Sequence, residues 1–137
     1  MTQVTVVCGP PCSGKTTWVR EHAQPGGDAV IDYDDIAQQL GSPRTHGHDH
    51  RYHAQVESII HQAIESVRQG RHERAWIIRT NVAEAERLAA SLGGTSVLID
   101  AADDTLLARA QGRPNPAATV RAIEAWRLTH PDISPGA

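Results

Sequence analysis

The segment Gly9-Pro10-Pro11-Cys12-Ser13-Gly14-Lys15-Thr16 constrains this chain more than any other stretch of it. It follows the β-branched run Val4-Thr5-Val6-Val7-Cys8 and precedes a helical pattern that opens at Thr16. Glycines at the two ends of a Gly-x4-Gly-Lys-Thr turn let successive backbone N–H groups point inward, forming a nest for phosphate oxygens. The helix behind the turn adds the positive end of its dipole. In such a loop Lys15 reaches the β- and γ-phosphates of a nucleoside triphosphate, and the Thr16 hydroxyl ligates Mg²⁺. Residues 9–17, with Thr17 closing the segment, are therefore expected to bind ATP or another triphosphate together with Mg²⁺. A tight strand–turn–helix connection would need the glycines but not the lysine. Twelve of the thirteen basic residues are arginine and Lys15 is the only lysine. A compact ammonium and a planar guanidinium are not equivalent at a tight phosphate site.

Strand-like runs then alternate with helical spacing. A helix over residues 16–24 is stopped by Pro25-Gly26-Gly27, and Ala29-Val30-Ile31-Asp32 reads as a second strand. Residues 35–40 form a short helix and 44–50 a polar loop. Val56, Ile59, Ile60, Ala63, Ile64 and Val67 recur at helical spacing between Tyr52 and Gly70. Further strands are expected at 75–78 and 96–100, and further helices at 84–92, 103–111 and 116–128. This alternation predicts an α/β fold: a P-loop NTPase-type three-layer sandwich, its mainly parallel sheet of about four strands covered by helices on both faces. A chain of 137 residues is sized for one domain, 1–137, with 129–137 as a loose tail.

A net charge of -3 argues against a bulk electrostatic grip on nucleic acid, though not against a local basic patch. Cys8 and Cys12 are read as reduced thiols, because a bridge between them would distort the glycine-rich loop. No apolar run approaches the ~20 residues that span a membrane, and the N-terminal residues lack a signal-peptide pattern. The expectation is a cytoplasmic protein without membrane partners, as a monomer or small homo-oligomer.

Four stretches carry a resemblance: Lys15-Thr16-Thr17-Trp18-Val19-Arg20-Glu21, Ile31-Asp32-Tyr33-Asp34-Asp35, Ile78-Arg79-Thr80-Asn81, and Leu107-Ala108-Arg109-Ala110-Gln111-Gly112-Arg113. Over about residues 4–128 the chain resembles the kinase domain of bacteriophage polynucleotide 5′-hydroxyl kinases. The resemblance implies ATP-dependent transfer of the γ-phosphate to an acceptor hydroxyl, first of all a nucleic acid 5′ end. It also implies Asp34 as the general base, Arg109 and Arg113 as lid arginines around the ATP phosphates, and Thr80-Asn81 near the acceptor phosphate.

The residues themselves support part of this. A carboxylate just beyond a parallel strand lies on the ligand-binding edge of the sheet, where it can orient a hydroxyl for attack. Asp32 and Asp35 are alternatives to Asp34 in that role, and an acid there also serves as a helix cap. Arg109 and Arg113 are four apart, a spacing that puts both on one helix face toward either a polyanion or solvent. Two departures from the family fall on the acceptor side: Arg79 stands where it has an acid, and Ala37 where it has an arginine. Mg²⁺ is then left to Thr16 with Asp32 or Asp34, or else Arg79 offers its charge to an acceptor anion. The expected site comprises Lys15, Asp34, Arg109 and Arg113 for catalysis, and Asp34, Asp35, Arg79, Thr80 and Asn81 for the acceptor. Thr16 and Asp32 are expected to hold the metal.

His46, His48, His50 and His53 crowd one segment beside Arg44, Asp49 and Arg51. They admit three readings: zinc ligands, an anion-binding rim at the substrate entrance, or a solvated loop. Two functional alternatives to the polynucleotide kinase stay open. One is a kinase of a nucleoside, nucleotide or other metabolite. The other is a P-loop ATPase or nucleotide-binding regulatory module.

Overall fold

Val4, Val6 and Cys8 lie on one face of β1 (Gln3–Cys8) and Val7 on the other, and all four are buried. A strand buried on both faces belongs at the centre of a parallel sheet. The computed structural model, which describes residues 2–44, 46 and 48–133, places it there. The sheet has the order β2-β3-β1-β4, with β2 Ala29–Ile31, β3 Arg74–Ile78 and β4 Thr95–Leu98. All pairings are parallel, with Val6 opposite Ile77, Val7 opposite Val97, and Ile31 opposite Ile77. The expected three-layer α/β sandwich is the observed architecture. Of the expected loose tail, residues 134–137 lie outside those described.

One face carries α2 (Tyr33–Gln39), α3 (His53–Arg68) and α4 (Val82–Ser91). Val56, Ile60, Ile64 and Val67 of α3 share a core with Ala37, Ala85, Ala89 and the strand residues Val4, Val6 and Ile77. Their spacing of three and four residues is the apolar stripe of a surface helix. The other face is covered by α1 (Lys15–His22), where Trp18 meets Trp76 edge-on at 5.9 Å. Beside it, α5 (Asp103–Ala110) and α6 (Pro116–Thr129) enclose Leu106, Ala110 and Ile123 against Cys12. Among the described residues, no helix is long and apolar enough to cross a membrane.

Several boundaries differ from expectation by a few residues, and three of them have a clear local reason. Helix α2 begins at Tyr33 because the Asp32 carboxylate accepts from the Asp34 N–H at 3.2 Å, turning the residue after β2 into a cap. Strand β4 ends at Leu98; Asp100 is drawn off to a bidentate pair with Arg127 at 2.7 and 3.0 Å, which fastens α6 to the sheet. Helix α5 stops at Ala110, so Arg113 sits in the turn beyond it and not on one helix face with Arg109. Pro114 disfavours helical geometry in the residue before it.

Candidate active site

The loop between β1 and α1 is held open from within. Gly9 has φ 153°, and a Cβ there would collide with the Ile99 carbonyl, so no other residue fits. Cys12 adopts φ 68°, and its carbonyl accepts from Arg109 Nη1 at 2.9 Å. Lys15 Nζ donates to the carbonyls of Gly9 and Pro10 at 2.9 and 2.8 Å. Burial, and after it the Arg113 guanidinium, lowers this ammonium to about 8 against the opposing charge of Asp32. The Ser13 hydroxyl is buried with no hydrogen-bond partner among the described residues. A buried orphan hydroxyl in a nest of this kind fits a phosphate oxygen.

Thr16 Oγ1 donates to Asp32 Oδ2 at 3.3 Å. Asp32 is buried, and its carboxyl is raised to about 6, chiefly by that burial and then by the charges of Asp35 and Asp34. A hydroxyl and one carboxylate suit Mg²⁺, which keeps waters and phosphate oxygens for its remaining positions. Among the described residues, no group of three or more His, Cys, Asp or Glu side chains could hold a metal ion.

The raised Asp32 carboxyl has a consequence for stability. Because its folded value, about 6, exceeds the ordinary 3.8, ionisation costs the folded state; the cost vanishes below pH 3.8 and is complete above pH 6. Asp32→Asn keeps a cap acceptor and removes the charge. It is expected to stabilise the nucleotide-free protein by up to about 3 kcal/mol at neutral pH, with the gain shrinking as pH falls toward 4. Denaturant titrations of both proteins across this range measure it, and coincident midpoints at neutral pH would contradict it.

Asp34 stands in the first turn of α2 with both carboxylate oxygens engaged. His46 Nδ1 lies 3.0 Å from Oδ2 and His48 Nε2 lies 2.9 Å from Oδ1. His48 Nδ1 is in turn 2.6 Å from the Ser42 hydroxyl. Burial lowers His46, as does Arg113, while Asp34 opposes both. Two of the clustered histidines thus fold onto the candidate base; His53 instead meets Tyr33 at 3.2 Å, and His50 is fully exposed. Asp35 faces Arg20 at 3.9 Å.

A cleft of about 1200 Å³ runs from the loop past Arg109 and Arg113 to Asp34, Asp35 and His46, and Thr80 also lines it. A side compartment of about 250 Å³ adjoins it at Asp32 and Asp35, with Val19, Ala23, Val30 and Ile78 in its wall. The structure does not bring Arg79 or Asn81 to either lining. Ile78 lines both, and strand alternation turns the next residue, Arg79, to the opposite side. Asn81 Oδ1 accepts from the Glu84 N–H at 2.9 Å as the cap of α4. Ala37 is fully buried in the core, so this position adds nothing to the cleft.

A family model described as AAA domain matches residues 4–130. No curated protein matches the chain.

Proposed function

Because the chain belongs to the AAA domain family, a P-loop nucleotide-binding family that includes kinases, we propose that it is an ATP-dependent kinase acting on an acceptor hydroxyl. The observation that carries this reading is the single cleft lined at one end by the phosphate loop and at the other by Asp34. A donor and an acceptor have room to meet in it, within one domain. The acceptor oxygen bonds to the γ-phosphorus as the bond to the β,γ-bridging oxygen breaks; the hydroxyl proton passes to Asp34 and ADP leaves. Lys15, Arg109 and Arg113 offset the charge spread over the phosphoryl oxygens in a loose transition state. Thr16 and Asp32 would hold Mg²⁺, which neutralises phosphate charge when bound.

The first acceptor class is a polynucleotide 5′-hydroxyl, as the sequence resemblance implies. A small hydroxyl compound is the second reading, favoured by the largely apolar side compartment beside Asp32 and Asp35. One screen separates these. Labelled γ-phosphate from MgATP is offered to 5′-hydroxyl oligonucleotides, nucleosides, nucleoside monophosphates and small sugars. Label should enter one class, and ATP turnover should rise with that acceptor. Turnover indifferent to every acceptor would sink the kinase reading in favour of an ATPase or nucleotide-binding regulatory module.

A further inference from the structure

The proposed transfer accounts for Asp34 but not for what grips it. Ser42, His48 and Asp34 form a line of contacts, Ser42 Oγ to Nδ1 at 2.6 Å and Nε2 to Oδ1 at 2.9 Å. The His48 side chain is 2% exposed, an unusual burial for a residue from a polar loop. An ionised carboxylate only accepts hydrogen bonds, so Nε2 carries a proton toward Asp34, and the Ser42 hydroxyl can donate to Nδ1. Ser42 is itself anchored, its N–H bonded to the Ala37 carbonyl at 3.0 Å on α2, the helix that bears Asp34. His46 differs in kind. Its side chain is 36% exposed, and it meets the other oxygen, Oδ2, from the lining of the cleft.

We propose that His48, backed by Ser42, is a positioning residue for Asp34: it pins Oδ1 and leaves Oδ2, where His46 stands, for the acceptor hydroxyl. This rests on the kinase reading with Asp34 as base. A carboxylate in the first turn of a helix, one-third exposed, has torsional freedom to miss its target. Small misplacements of a reacting group cost on the order of 10²-fold in rate. One buried donor on one oxygen removes that freedom without blocking the other lone pairs, much as outer partners orient the ligands of a metal. The incoming hydroxyl takes the place of the His46 nitrogen, the more exposed and so the more easily displaced of the two.

The test uses the full chain, MgATP and a 5′-hydroxyl oligonucleotide, or the small acceptor that the screen identifies. His48→Ala should lower kcat by about 10–100-fold with MgATP affinity unchanged. His48→Gln, which keeps a donor at the ε position, should recover part of the loss, and Ser42→Ala should show a smaller loss. In an Asp34→Asn background His48→Ala should cost nothing further, since the pair acts as a unit. His50→Ala is the control and should match wild type. If His48→Ala does not fold, His48→Gln and Ser42→Ala decide, together with the His48 imidazole ¹⁵N resonances, which Asp34→Asn should move. Wild-type kcat in His48→Ala, or equal losses in both Asp34 backgrounds, overturns the positioning role. Near wild-type transfer in Asp34→Asn alone overturns the base reading beneath it, so the two failures are distinct.

Discussion

Replacing Lys15 with alanine is expected to lower ATP turnover by about 10²–10³-fold and to leave the nucleotide-free domain folded. The ammonium is buried, depressed to about 8 and set beside Arg113, so it burdens the free protein electrostatically while its two bonds to Gly9 and Pro10 repay part of that. Removing it relieves a charge and frees two carbonyls beside the open cleft. Thermal unfolding should therefore shift little, while nucleotide titration and phosphate release should report the loss. Lys15→Arg should fail as well, because a planar fork cannot occupy the place of a compact ammonium between two loop carbonyls. Turnover close to wild type in Lys15→Ala would remove the loop from the mechanism.

Asp34→Asn should reduce transfer by about 10²–10⁴-fold with MgATP affinity retained. The amide preserves the shape of the side chain and keeps an oxygen to accept from His48, so the local geometry survives. What it loses is the ability to take a proton. Calorimetric titration of nucleotide and radiolabel transfer read the two halves separately. Transfer at a near wild-type rate would exclude Asp34 as the base and turn attention to Asp32 or Asp35.

The architecture was legible because its signals are local and periodic. Val4 to Cys8 could only be a strand buried on both faces, and the α3 stripe of Val56, Ile60, Ile64 and Val67 could only be one helix face. The phosphate loop was legible because its glycines answer to backbone geometry, as the clash that Gly9 avoids makes plain. The acceptor side was harder to read. Asn81 has the right residue type beyond β3, but a capping residue and a substrate contact look alike in sequence until its partner, the Glu84 N–H, is seen. The contacts of His46 and His48 with Asp34 span twelve and fourteen residues across a stretch without periodicity. Their alternation hinted that the segment mattered. Only tertiary placement distinguishes a zinc cluster from a solvated loop or a clamp on one carboxylate.

Lys15 also makes the chain unusual as a chemical reagent. It supplies the only ε-amine in 137 residues, it opens onto the cleft, and a pKa of about 8 leaves much of it as free amine near that pH. Within these residues an amine-directed acylating agent therefore has one side-chain target. Triphosphate in the loop would shield it. Acyl label lost from Lys15 as nucleotide is added then reports occupancy of the loop, whatever the acceptor.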